Sequence, residues 1–275
     1  MKWLLAIVVL FPLPLCAEEI TLLSTTTTRD SGLLDVVLEA FTEETGITVK
    51  PVIAGTGQAL KLGERGDGDL VWVHSRAAEE AFVAAGWATG RYDVMENDFV
   101  ILGPPEDPAG LAVIPDASAA LTHLAETETI FVSRGDESGT HVTEMRLWED
   151  AGITPEGAWY RETGSGMGAT LNIARAMGGY TLSDFASWAA FGGRDELKVL
   201  VQGDPRLLNS YGIMLVNPAR HPHVKAEAGQ RFIDWLVGPE GQAVIADFRI
   251  GGEPVFRPTA QVPDPSQPAN SSSDP

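Results

Sequence analysis

Residues 131–141 read Phe-Val-Ser-Arg-Gly-Asp-Glu-Ser-Gly-Thr-His, and within them Ser133, Arg134, Ser138 and Thr140 gather three hydroxyls and one guanidinium. Ile130, Phe131 and Val132 are strand formers. Ser138 or Thr140 can cap a following helix that carries Val142, Met145, Trp148 and Ala151. A turn of this kind leaves backbone N–H groups pointing into the space ahead of the helix, with the positive end of the helix dipole behind them. That is a socket for a small oxyanion. An ordinary capped helix with an exposed arginine would leave the same local pattern, so the chemistry depends on whether the design recurs.

It recurs at residues 24–31, 54–58 and 164–168, each a turn of Gly, Ser or Thr opening onto a helix. The first contains four consecutive threonines, Thr25 to Thr28. Threonine is disfavoured in helices and usually buries its methyl group in strands. A cluster of it between a strand and a helix supplies hydroxyl donors where backbone N–H groups also converge. Any one of these turns is a weak signal, because capped helices are common. The set of four points to anion binding.

The elements that must position these turns follow from periodicity. Residues 20–23 form a first strand. A helix with Leu34, Val37, Leu38 and Phe41 on one face is capped by Asp30 or Ser31 and ended by Gly46. Residues 47–53 are a second strand, a helix follows through Leu60 and Leu62, and residues 70–73 and 77–85 are a third strand and helix. This is a βαβαβ run, and ligands of open α/β sheets bind outside the carboxyl ends of the strands. Residues 99–102 lead through Gly103-Pro104-Pro105 into a second α/β unit. That unit holds a helix over 117–125, the strand and turn of the opening segment, and a helix bearing Leu171, Ala174 and Met177. Residues 197–201 form a strand and 213–216 a return crossing. Helices over 224–237 and 239–247 pack back on the first unit. The expected organisation is a signal segment over 1–17, a first lobe over 18–102 and 208–258, a second lobe over 103–207, and a Pro/Ser/Asp/Asn-rich disordered tail over 259–275. Two α/β units joined by two crossings leave a cleft between them, a favoured place for a small-molecule site.

Residues 1–17 combine Lys2, an apolar run and a Leu-Cys-Ala ending, the pattern of a secretory signal too short for a membrane span. The one cysteine, Cys16, lies inside it. Pro14 and Leu15 precede it where a lipoprotein signal usually has a small residue, so cleavage after Ala17 is expected, with lipid anchoring at Cys16 as the alternative. A mature chain without thiols excludes disulfides, thiolate metal sites and cysteine catalysis. The formal net charge of −19 argues against nucleic acid and anionic membranes as partners. It does not argue against a closed anion site, because surface charges beyond about 8–10 Å are largely screened at physiological salt.

Catalytic patterns are sparse. Neither G-x-S-x-G nor a P-loop occurs. His141 is the histidine beside the candidate site and reads as a supporting donor or a packing residue at the helix start. As a base it would need Ser138 as its nucleophile, which leaves a secreted oxyanion ester hydrolase as the remote alternative. His74, His123, His221 and His223 lack a metal-ligand spacing. Asp136 reads as the partner that fixes Arg134.

Six segments carry a family resemblance: Asp-Ser-Gly-Leu-Leu-Asp-Val at 30–36, Gly-Thr-Gly-Gln-Ala-Leu-Lys at 55–61, Asn-Asp-Phe-Val at 97–100, residues 133–141, Gly-Met-Gly-Ala-Thr-Leu at 166–171 and Phe-Ile-Asp-Trp-Leu at 232–236. In this order they resemble the solute-binding proteins of bacterial tungstate ABC importers, from Ile20 to about Phe256. The Thr-Thr-Thr-Ser loop of that family falls on Ser24, Thr25, Thr26 and Thr27, with Ser and Thr exchanged at the ends. The resemblance implies an α/β, two-lobed periplasmic binding protein of the second structural class, with its ligand cleft between the lobes. It implies an anion held by Ser24, Thr25, Thr26 and Thr27, by Thr56, by Ser133, Arg134, Ser138, Gly139 and Thr140, and by Gly166, Met167 and Gly168. Arg134 would be the one cationic ligand. No catalytic residue, cofactor or metal cation is implied; tungsten would be held through its oxygens. The implied partners are tungstate or molybdate and an inner-membrane ABC permease, for a monomer in the periplasm. The Ser-Gly-Thr segment also looks like that of phosphate-binding proteins, so a receptor for phosphate or another tetrahedral oxyanion is the alternative, and a sensor role is open beside transport.

Tungstate and molybdate are fully deprotonated near neutral pH and need only donors. Phosphate keeps a proton and benefits from a carboxylate acceptor. If Asp136 is occupied by Arg134, the site is donor-only and rejects phosphate through its unpaired proton.

Overall fold

The structure is a computed structural model that describes residues 18–136 and 138–260. The expected signal segment with Cys16, and residues 261–275 of the expected tail, lie outside the described residues. Thr259 and Ala260, placed in that tail, are instead held by backbone N–H donation to Val94 O at 3.2 Å and Gln242 Oε1 at 3.1 Å. The short strand Arg257–Pro258 beside them pairs with the sheet and fixes their position.

The first unit opens as β1 (Glu19–Thr25), α1 (Thr26–Asp30), α2 (Leu33–Thr45), β2 (Thr48–Ala54), α3 (Thr56–Arg65), β3 (Leu70–Val73) and α4 (Arg76–Ala84). β1 lies between β2 and β3 and is parallel to both, as a βαβαβ run requires. Leu-Val-Trp-Val of β3 is buried at every position, the pattern of a strand covered on both faces. Gly46 ends α2 with φ +73, a left-handed cap that costs glycine little.

β4 (Ala88–Gly103) is 16 residues long and joins the units. The sequence reading begins this strand only at Phe99. The earlier half is polar at many positions and carries register shifts between Ala88 and Arg91 and between Asp93 and Met95, which break the alternation. Then follow α5 (Ala117–Glu126), β5 (Phe131–Ser133), α6 (Gly139–Asp150), β6 (Tyr160–Glu162), α7 (Met167–Met177), β7 (Thr181–Asp184), α8 (Phe185–Ala190) and β8 (Lys198–Val201). β9 (Leu208–Val216) returns antiparallel to β4 and β3, and α9 (Ala226–Val237) and α10 (Pro239–Asp247) close the first unit. Among the described residues no helix is long and apolar enough to cross a membrane.

β4 enters the second sheet at Phe99, where it pairs with β7 and β8. Its side chains then alternate between two cores: Phe99 and Ile101 join Leu121, Phe131, Trp148 and Tyr180, while Val100 and Leu102 join Val132, Met167, Leu171 and Leu197. A separate larger core holds Leu22, Leu23, Phe41, Trp72, Ile213 and Phe232. The two-lobed α/β architecture rests on these separate cores with β4 and β9 crossing between them. Ala186 and Ala189 of α8, inside the segment read as second lobe, pack in the first core. The reason is direction: β7 runs antiparallel to β4, so it ends opposite Phe99 and delivers α8 to the boundary.

Candidate anion-binding site

The threonine run is not the loop expected from its composition. Thr25 takes an extended N-cap conformation and accepts the Thr28 N–H at 3.5 Å, so Thr26 to Asp30 turn into the short helix α1. The Thr25 and Thr28 hydroxyls pair at 3.1 Å, and Ser24 donates to Trp72 O at 3.1 Å. Thr26 and Thr27 are left to face the cleft.

The Arg134 turn is held from three sides. Ser133 donates to Glu144 Oε2 at 2.8 Å and accepts the Gly135 N–H at 3.2 Å. Glu144 also receives Trp148 Nε1 at 3.2 Å and the Tyr160 hydroxyl at 2.8 Å, and burial pushes its carboxyl above the ordinary range against these donors. Gly135 has φ +59, and a Cβ there would lie 2.8 Å from Glu162 Cβ, so only glycine fits the turn. Thr163 donates to Arg134 O at 3.2 Å and pairs with Thr170 of α7 at 2.9 Å, which ties the turn at 164–168 to the Arg134 turn.

Arg134 is buried and donates through Nε, at 3.1 Å, and Nη2 to Asp136 Oδ2. Asp136 Oδ1 accepts the Ser138 N–H at 3.2 Å. Burial raises the Asp136 carboxyl, but hydrogen bonds from Ser138 and the Arg134 guanidinium outweigh it and hold the pKa below the usual range. Asp136 is therefore an ionised carboxylate with a donor on each oxygen. Ser138 in turn caps α6 by accepting the His141 N–H at 3.3 Å.

A cavity of about 430 Å³ lies where these turns meet. Of the sequence-expected residues it is lined by Thr26, Thr27, Arg134, Ser138, Gly166, Met167 and Gly168. Gly55 at the cap of α3, Arg29, Asp30, Asp136, Ala169 and Ser187 complete the lining. α3, α6 and α7 thus begin at the cavity, and their N-terminal dipoles favour an anion there. A Cβ on Gly166 or Gly168 would meet no atom within 4 Å, so these glycines leave room at the cavity wall rather than serving packing.

Ser24, Thr25, Thr56, Ser133, Gly139 and Thr140 are not in that lining. Ser24, Thr25 and Ser133 have their hydroxyls committed to the contacts above. Thr56 and Thr140 are different: both hydroxyls are buried without a hydrogen-bond partner among the described residues. Gly139 is where the units touch. A Cβ on it would come 2.8 Å from His74 Cε1 and 3.4 Å from Thr56 Oγ1. His74 is buried, bonds Asn209 Oδ1 through Nδ1 at 3.1 Å and stacks on Tyr211 with 4.9 Å between ring centres. Burial pushes its pKa below the ordinary 6.5 although Asp184 opposes this.

A PBP superfamily domain matches residues 16–240. The tungstate-binding protein TupA of Peptoclostridium acidaminophilum is 44% identical over 246 residues, covering 88% of this chain and 86% of that protein. The chain belongs to the family of ABC-transporter tungstate-binding proteins. Two solved structures share the family fold. The tungstate-binding protein TupA from Desulfovibrio alaskensis G20 is 42% identical with a TM-score of 0.80, covering 89% of this chain and all of that one (100%). The tungstate ABC transporter structure from Geobacter sulfurreducens is 48% identical with a TM-score of 0.77, covering 84% and 99%.

Beyond the family motifs, the sequence reading passed over Arg29 and Ser187 as parts of the lining. Arg29 follows the threonine run directly, a signal that was available. Ser187 carries none, because only the antiparallel course of β7 brings α8 to the cavity. His141, read as a neighbour of the site, donates its N–H to Ser138 and also lines a groove with Val142, Met145 and Glu149. Of the stripe expected there, Trp148 is buried but Val142 and Met145 are exposed, and the buried face carries Thr140, Glu144, Leu147 and Trp148. A buried glutamate on the inner face made the helix look rotated.

Proposed function

We propose that this chain binds tungstate in the cavity at the starts of α3, α6 and α7 and delivers it to an ABC permease in the inner membrane, with molybdate as a second ligand. The supporting observation is the poverty of free acceptors. The carboxylates in the lining, Asp136 and Asp30, are each bound to an arginine, Arg134 and Arg29. A fully deprotonated dianion meets hydroxyls, backbone N–H groups and a guanidinium, whereas phosphate would leave its proton without a partner. The Thr56 and Thr140 hydroxyls supply further donors at the edge of the site when the lobes close.

In this reading the protein is a monomer working in the periplasm after removal of residues 1–17, and the lobes comprise 18–102 with 208–258, and 103–207. Closure is a hinge motion at β4 and β9, with each lobe contributing contacts to the ligand. Turnover is not part of the reading. Calorimetric titration of the mature protein with tungstate, followed by competition with molybdate, phosphate and sulfate, tests it. Tight tungstate binding eroded only by molybdate is the expected result. Displacement by phosphate would transfer the site to a phosphate receptor, and no binding at all would end the anion reading.

A further inference from the structure

The charges lining the cavity are Arg29, Asp30, Arg134 and Asp136, and their formal sum is zero. The buried cation, Arg134, is already matched by Asp136, so it brings donors to the ligand but little net charge. A tetrahedral dianion entering here carries two negative charges into a protein of net charge −19. Helix dipoles contribute roughly half a charge at each N-terminus and are screened where solvent enters. That sum does not change when a side chain turns, but a cation brought nearer to the anion than its own carboxylate still favours binding, and the lining contains one that can move.

Arg29 sits on the last turn of α1, one position from Asp30, and binds it through Nε at 2.7 Å and Nη2 at 2.6 Å. Both side chains are more than half or about half open to solvent, at 50% and 56%. An exposed pair of this kind is held weakly, because solvent screens the attraction and two flexible side chains must be ordered to keep it. The contrast with Arg134 is sharp: that guanidinium is buried and anchored, while this one is free to exchange its partner. Arg29 also lies on the opposite lobe from Arg134, so turning its uncommitted N–H groups toward the bound anion would clasp the ligand from both sides.

We infer that Arg29 is a second cationic contact, which keeps part of its fork on Asp30, turns its remaining N–H groups to the bound oxyanion and selects for a doubly charged one. This rests on the tungstate reading above and names a residue that acts in it. The structure assigns Asp30 the opposing part: it holds the arginine in reserve and weakens the ligand by competing for it.

The test is tungstate titration by calorimetry on four forms of the mature protein: unaltered, Arg29→Gln, Arg29→Lys and Asp30→Asn. Loss of one charge-assisted contact predicts a roughly ten- to hundredfold weaker affinity for Arg29→Gln. Arg29→Lys should regain part of that loss, since the charge survives without the planar fork. Asp30→Asn should bind more tightly than the unaltered protein. Arg29→Gln binding as tightly as the unaltered protein overturns the inference and leaves the tungstate reading intact. Arg29→Lys as weak as Arg29→Gln overturns the charge argument. An unaltered protein that takes up no tungstate overturns the functional reading, and this inference with it.

Discussion

A hydroxyl near an anion site is useful only if its proton is uncommitted, and single contacts decide this. Ser133 sits in the turn most suggestive of oxyanion chemistry, yet its proton goes to Glu144. Its role is to brace the turn. Arg134 keeps the larger part: with two of its N–H groups on Asp136, a guanidinium still has donors for a ligand. Arg134→Ala should therefore weaken tungstate binding more than Thr27→Val, by about tenfold or more, because charge-assisted bonds are roughly twice as strong as neutral ones. Calorimetry on the two variants checks this, and equal losses would remove Arg134 from contact with the ligand.

Between elements, the decisive contact is the start of α6 against the loop after β3 and the start of α3. Gly139 permits it, since a methyl group would overlap His74. Overpacking of this sort costs about 1–3 kcal/mol, and the lobes can avoid it by staying apart. Gly139→Ala is thus expected to weaken tungstate binding by roughly tenfold while leaving the melting temperature of the ligand-free protein unchanged. A drop in that melting temperature with affinity unchanged would mean that the contact supports the fold rather than closure.

For the protein as a unit, the buried polar groups between the lobes link stability to pH. His74 has a folded pKa below the ordinary 6.5, so below pH 6.5 the unfolded chain takes up a proton that the folded chain refuses. Its contribution is complete above pH 6.5 and is lost as pH falls, with a slope of up to about 1.4 kcal/mol per pH unit. His74→Gln should flatten the fall of melting temperature between pH 6.5 and 5. An unchanged slope would assign the acid sensitivity to another group. Ligand should act in the opposite direction, raising the melting temperature with its concentration as any native-state binder does.

Local patterns were enough to read the strand–turn–helix units and the four turns that meet at the cavity, because each is built from residues adjacent in the chain: β-branched runs, a capping hydroxyl, a glycine. The parallel order of β2, β1 and β3 follows from the same βαβ logic. Partners distant in sequence were not legible. Ser24 finds Trp72 O and Ser133 finds Glu144, so two expected donors turn away from the site, while α8 and Ser187 arrive through the antiparallel course of β7. The polar first half of β4 is a strand because β9 pairs with it, not because its own residues favour one. Chain pattern determines where donors gather. Which of them keep a proton for the ligand depends on the buried acceptor each one meets when the lobes are assembled, and that neighbour is set by packing.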